Sequence, residues 1–434
     1  MRRFIHYTAA ITATVLLAAV LCASGCSSGD SEPNAATLIE QLGSNDQDTH
    51  IKAAWSLAKM ETEALAPLAE AMQSKNRTLA RRASEVLMTI GAPAAKTLKD
   101  ALADKDYPWP ESAARALAMI EPPSQAVIDT LLKSLKSGDA EARAMTADTL
   151  GRITIAPDKV MSPLLNALRD TDENVCKAAA SSLAAIGKPA VEPMILAMSD
   201  SRVKHRRYVA LVLSKFGPAA SKAASPLVEM LKTGDKDQRG LAIHVLRRIR
   251  PEPKIAIDPL IAAFNDSEET ISESAAQVLG ELGAPAVDAL TKALQDKKIT
   301  RPGHAALALA RIGHPAAKAV DPLIVLLKTG DESARGQAAY ALSKIAHGNQ
   351  KVVSALVAAL QTDPGEYSVQ MYAAEALGRL RPPATSAIAA LTEAMEHSRR
   401  AVRQAASEAI EDIKSPPPLE KQDHSKCDHE GHVH

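Results

Sequence analysis

The densest group of metal-ligating side chains in this 434-residue chain lies at its C-terminal end. His424, Cys427, His429, His432 and His434 stand there, interleaved with Asp423, Asp428 and Glu430. Imidazole and thiolate at this density chelate zinc, copper or nickel, and nothing else in the chain calls for a cofactor. The spacing fits no closed four-ligand zinc site, so the segment is either an open chelator or a solvated polar end. A second concentration is basic: Arg202, Lys204, His205, Arg206 and Arg207, with Arg247, Arg248 and Arg250 downstream. It is either a patch for an anion or a partner, or a solvated helix face. Trp109, between Pro108 and Pro110, is either an exposed anchor for a protein partner or a plug between neighbouring elements. No Gly-rich phosphate loop, nucleophile elbow or zincin motif is present, so no enzymatic activity is expected. The 51 basic and 51 acidic residues balance, which argues against holding nucleic acid through the field of the whole chain.

Chemistry of a different kind is written at the N-terminus. Arg2 and Arg3 precede an apolar stretch over residues 9–21, too short to span a bilayer comfortably. The small residues Ala23-Ser24-Gly25 and then Cys26 follow. The pattern resembles a bacterial lipoprotein signal, with Ala23 where Leu is usual. The resemblance implies cleavage after residue 25, acylation of Cys26, export, and a tether to a cell-envelope membrane without a transmembrane helix. An ordinary secretory signal with an incidental cysteine is the plainer reading. Cys176 and Cys427 are far apart, so no disulfide framework is implied.

The elements that must position these residues repeat. A Leu or Ile followed three residues later by an apolar residue recurs at Leu57, Leu87, Leu117, Leu150, Leu183, Leu213, Leu246, Leu279, Leu309, Leu342, Leu377 and Ile410. Between successive anchors lies room for two helices of about 12 residues and two short turns. Gly-x-Pro-Ala after the anchor, as at Gly91, Gly187 and Gly283, closes one helix and opens the next. The turn aspartates Asp104, Asp139, Asp170, Asp200, Asp235, Asp266, Asp296 and Asp331 are expected to cap each second helix. Above this lies a longer period: the Lys-Ser/Thr-Gly-Asp runs ending at Asp139, Asp235 and Asp331 mark a duplicated block of three units. Basic residues such as Lys59, Arg152, Arg248, Arg311, Lys344 and Arg379 recur in the last turns. They either complement the negative helix ends or form a ribbon for an acidic partner.

The unit resembles the HEAT repeat, particularly the short form named after phycobilisome lyases. The likeness is carried by the Pro-Leu of the first helix, the turn Asp, the Arg of the second helix, and endings such as Gln277-Val278-Leu279-Gly280-Glu281-Leu282-Gly283. It implies an all-α fold, an α-solenoid of about twelve two-helix repeats over residues 35–415. A signal (1–25) and a linker (26–34) would precede it, and a Pro-rich break and tail (416–434) would follow. It also implies that Arg143, Arg239 and Arg335 pair with aspartates of neighbouring units. Some HEAT-like enzymes hold iron through His-Glu pairs on their helices. The only His-Glu here is His429-Glu430 in the tail, so an oxidoreductase role is the remotest reading. The expectation is a binding scaffold for a protein partner, with metal delivery through the tail as the alternative.

Overall fold

A computed structural model describes residues 34–153, 157–346, 349–361, 367–380 and 382–414, and among these every regular element is a helix. Residues up to Gly138 and residues from Asp139 form two compact units. The first unit holds α1 (Ala35–Leu42), α2 (Gln47–Lys59), α3 (Leu65–Met72), α4 (Arg77–Ile90), α5 (Ala95–Ala103), α6 (Pro110–Ile120) and α7 (Gln125–Ser137). The second opens with α8 (Ala140–Arg152), α9 (Pro157–Ala167), α10 (Glu173–Ile186), α11 (Val191–Ser199), α12 (Arg206–Phe216), α13 (Ala224–Thr233), α14 (Lys236–Ile249), α15 (Pro253–Ala262) and α16 (Glu269–Leu282). It continues through α17 (Val287–Ala293), α18 (Pro302–Ile312), α19 (Val320–Thr329), α20 (Glu332–Ile345), α21 (Gln350–Leu360), α22 (Tyr367–Leu380), α23 (Ile388–Ala394) and α24 (Arg400–Lys414). Odd-numbered helices are the first of each repeat and even-numbered helices the second.

The anchor residues are the core: each one from Leu57 to Ile410 is buried. Their partners three residues on are buried only in part of the array. Ile90, Ile186, Phe216, Leu282 and Ile312 are half-buried, and each precedes a glycine at positive φ that turns the chain out of the helix. Within the second unit each second helix packs on the next, from α8 through to α24, and in the first unit α2, α4 and α6 do the same. Small residues set that spacing. A Cβ on Gly151 would lie 2.3 Å from Ser182 Cβ and 2.5 Å from its Cα. The Ser182 hydroxyl donates to the Ala147 carbonyl at 2.8 Å, so α8 and α10 touch backbone to backbone. Gly378 against Ala409 does the same for α22 and α24. The Leu-Gly of the repeat ending is thus a packing requirement as much as a signature.

The turn aspartates divide into two classes, which corrects the expectation that all of them cap. Asp139, Asp235 and Asp331 accept from the backbone N–H groups of Ala142, Gln238 and Ala334 and are N-caps. Asp104, Asp170, Asp200, Asp266 and Asp296 accept instead from the N–H two residues on, closing tight turns. The difference is position. The capping aspartates directly precede their helices, whereas the others stand further back and have a nearer backbone donor within reach.

Candidate functional site

Three of the turn aspartates free of capping work, Asp170, Asp200 and Asp266, become acceptors for arginines. Arg143 on α8 grips Asp170 through Nε and Nη2 at 2.7 and 2.8 Å. Arg239 on α14 holds Asp266 at 2.7 and 3.0 Å, and Arg169 reaches Asp200 at 2.9 Å. Each pair joins neighbouring repeats. Burial, the largest single influence, would raise the Asp170 carboxyl, but the hydrogen bonds from Arg143, the backbone N–H of Asp172 and the Arg143 charge together outweigh it and hold the group below the usual carboxylate range. The third expected member, Arg335, is buried and donates from Nε to the Leu327 carbonyl at 2.9 Å.

Arg335 occupies the place seven residues before the anchor, and that place has a recurring job. There Gln370 donates to Leu360 O, Arg403 to His397 O and Ser398 O, and Arg206 to Asp200 O. Cys176 turns its thiol toward Leu168 O and Asp170 O. Where the place is Pro302, the preceding Arg301 reaches back to Phe264 O and Ser272 Oγ. These side chains satisfy carbonyls left over at the ends of first helices. They are structural, and Cys176, its thiol pushed up to about 11 by burial, is an inert member of the set. One buried group falls outside any ladder. His304 on α18 has no hydrogen-bond partner for either ring nitrogen among the described residues. Its ring lies 5.9 Å from that of Phe264. Burial, helped by Arg301, pushes its pKa down.

Part of the basic cluster is brought together. Lys204, His205, Arg206 and Arg207 line one wall of a cavity of about 610 Å³ at the turn edge between α12 and α13. The opposite wall carries Glu229, Asp235 and Asp237, so the site is of mixed sign. Arg207 already pairs with Glu173, and Arg202 outside the cavity pairs with Asp200 at 2.9 Å. Arg247 and Arg248 lie in the last turn of α14 and do not line the cavity. Arg247 pairs with Glu281 at 2.7 Å. Trp109 is half-buried: its indole N–H donates to Ser74 O at 2.9 Å and Arg77 lies over its ring, so it fills the step between two turns. Several residues of the basic ribbon sit on neighbours of their own, with Lys59 over Trp55 and Arg152 on Asp148.

A second cavity, of about 590 Å³, was not anticipated. It is a groove across α18, α20 and α22, lined by Leu307, Gly336, Gln337, Tyr340, Tyr367 and Tyr372, with Glu332, Ser333 and Ser368 at its rim. Tyr367 is 41% exposed and Tyr372 39%. Gly336 makes the floor: a Cβ there would lie 2.5 Å from the Tyr372 ring, which therefore rests on the backbone of α20. Lys344 and Arg379 lie over Tyr340, and Arg399 over Tyr367. In a chain that is 3% aromatic, three of the six tyrosines meet here. That scarcity was the signal available in the sequence.

Cys26 and the tail residues His424, Cys427, His429, His432 and His434 lie outside the described residues. Among the described residues no three His, Cys, Asp or Glu side chains are placed to hold a metal ion. No described helix is long and apolar enough to cross a membrane.

Solved structures similar in fold include a mutant Kap121p (TM-score 0.61, 17% identity) and the karyopherin Kap121p bound to the SUMO protease Ulp1p (0.61, 16%). Each match covers 87% of this chain and 48% of the other, so this chain spans about half the length of Kap121p. Importin beta, crystallised from polyethylene glycol, matches at a TM-score of 0.50 and 14% identity, over 87% of this chain and 64% of that one. At these identities the likeness is one of fold. No curated protein matches the chain in sequence. The family model for HEAT repeats matches residues 35–118, 128–212, 161–247, 191–280, 224–302, 299–368 and 365–422. Paired helices on buried anchors, second helices stacked through Gly, Ala and Ser, and a family match along nearly the whole described chain lead to one assignment: this chain belongs to the HEAT-repeat family.

Proposed function

We propose that this protein is a non-catalytic scaffold that docks a protein partner on its second-helix surface, held at a bacterial cell-envelope membrane by lipid on Cys26. The tyrosine groove carries the docking part. Large aromatic side chains left half-exposed in one cleft are the commonest anchors of protein–protein contacts, because each buries much apolar area at little entropic cost. The signal-like segment ending at Cys26 supports the tether.

The test is photocrosslinking in the native envelope with a photoreactive phenylalanine derivative in place of Tyr372. A discrete protein adduct that disappears when Tyr340→Ala is added is the expected result, and absence of any adduct refutes the docking site. For the tether, labelling with an alkyne fatty acid should mark the wild type and spare Cys26→Ala, which should leave the membrane fraction. Equal labelling of the two refutes it.

A further inference from the structure

Resting on that scaffold reading, we infer that the partner docks through an extended acidic segment, with apolar residues between its carboxylates, laid across the second helices from α12 to α20. Two residues after the anchor leucine stand Lys215, Arg248, Arg311 and Lys344, in the last turns of α12, α14, α18 and α20. All four are exposed, and none has a carboxylate partner among the described residues. On α16 the same place is Glu281, and Arg247 covers it from α14 at 2.7 Å. The row is therefore positive at every step, and ammonium and guanidinium groups donate but cannot accept.

Complementing the helix end explains one cation per helix, but not what stands one turn before it. A carboxylate four residues ahead of a basic residue is the arrangement that steadies a helix. This framework accepts it, as Asp148 before Arg152 and Glu375 before Arg379 show. Ahead of the four cations stand instead Leu211, His244, Leu307 and Tyr340. Leu211 is 42% exposed. Lysines near the starts of first helices are also provided for: Lys222 pairs with Glu192, Lys318 with Asp288 and Lys351 with Asp321. The cations of the row are left over, each beside an apolar or aromatic side chain, and an acidic and apolar segment complements both. The row meets the tyrosine groove, where Lys344 lies over Tyr340. Counted from the anchors, Tyr340 corresponds to His244 one block earlier, Tyr367 to Glu269 and Tyr372 to Ser274, so the row runs on past the block that carries the tyrosines.

Spacing sets the register. Packed helices lie about 8–10 Å apart. A solvated extended chain rises about 3.1 Å per residue and returns a side chain to the same face every third residue, about 9 Å along. One carboxylate in every three residues therefore meets one helix after another.

Fluorescence anisotropy of a fluorescein-labelled pentadecapeptide of repeating Glu-Leu-Thr, titrated with the full chain, tests this. Saturable binding that weakens with added salt is expected. The double variant Arg248→Glu, Arg311→Glu, with unchanged helical circular dichroism, should bind about tenfold more weakly. His244→Glu, which gives Arg248 a carboxylate of its own on the same helix, should weaken binding about threefold. A peptide of the same composition with its glutamates gathered at one end should also bind more weakly. No saturable binding by the wild type, unchanged affinity in the double variant, or equal affinity for the rearranged peptide overturns the inference. Equally tight binding of a single-stranded thymidine oligonucleotide, lost in the same double variant, would make the occupant a nucleic acid and overturn it too. If the peptide fails while the crosslink from position 372 still captures a partner, the inference falls and the scaffold stands. If both fail, both fall.

Discussion

The same chemical change, Gly to Ala, should have opposite effects at Gly151 and Gly240. Both lie inside second helices, where the added methyl group favours the helix by about 1 kcal/mol through backbone entropy. At Gly240 nothing lies within 4 Å of the new carbon, so that gain stands alone. At Gly151 the carbon lands 2.3 Å from Ser182 Cβ and 2.5 Å from Ser182 Cα, against an ordinary carbon–carbon contact of about 3.5–4.0 Å. The obstacle is backbone, so α8 and α10 must move apart by about 1 Å along the whole seam. Overpacking of this kind costs about 1–3 kcal/mol. Separating the helices also weakens the 2.8 Å bond from Ser182 to Ala147 O, worth about 1 kcal/mol. Less the propensity gain, Gly151→Ala should destabilise the seam by about 2 kcal/mol.

Because each repeat touches only its neighbours, the loss should appear locally before it appears globally. Amide hydrogen exchange is the suitable assay. Protection in α8 and α10 should fall about 30-fold in Gly151→Ala, the equivalent of about 2 kcal/mol, while protection in α14 should rise about fivefold in Gly240→Ala. Equal or greater protection of α8 in Gly151→Ala, or lower protection of α14 in Gly240→Ala, would refute the claim that backbone contact sets the repeat spacing.

Arg143→Ala removes both donors from the largely buried Asp170 and should destabilise the second unit by about 2 kcal/mol in urea unfolding. Arg143→Lys should recover only part of it, since an ammonium cannot make the paired contact. The Asp170 pKa is lowered in the fold, so the pair's contribution is present above the ordinary carboxylate value and is lost as pH falls through the folded value. Arg143→Ala should therefore flatten acid unfolding below about pH 4, and unchanged acid sensitivity would count against the pairing. His304 has its pKa lowered by burial, so the unfolded chain takes up the proton first as pH drops below about 6.5. Its presence should then cost stability at up to about 1.4 kcal/mol per pH unit until the folded value is reached, and His304→Leu should remove that slope. Identical slopes in the two proteins between pH 6.5 and 5 would refute it.

Much of the fold was legible because one physical requirement repeats. A helix pair cannot bury its apolar stripe alone, so every unit needs the same buried Leu at the same place, and the series from Leu57 to Ile410 reads directly as an array. Arg143 and Arg239 were legible for a related reason: their spacing from the turn Asp is set within one unit, and the resemblance supplied the partner. The division at Gly138 was not legible, because Lys136-Ser137-Gly138-Asp139 matches the runs at Asp235 and Asp331 in sequence. Nor were the two aspartate classes separated by residue type alone. The distinction lies in whether a helix begins at the next residue, as it does after Gly138-Asp139, Gly234-Asp235 and Gly330-Asp331.

The functional surface is harder to read than the core for a reason tied to this architecture. In a solenoid a surface site is assembled from residues about one repeat apart, and every such residue looks like an ordinary exposed position in its own helix. Lys204 to Arg207 form an obvious basic run, yet the cavity they line is completed by Glu229 on α13 and Asp237 on α14, and its character becomes mixed. Tyr340 and Tyr372 attract no notice singly; only the stacking of α22 on α20, with Gly336 clearing the floor, brings them into one groove. A departure from the block's own pattern thus marks this groove, which charge density does not. His244, Ser274 and Glu269 show what the framework accepts at those places, and the tyrosines mark where the last block differs from it.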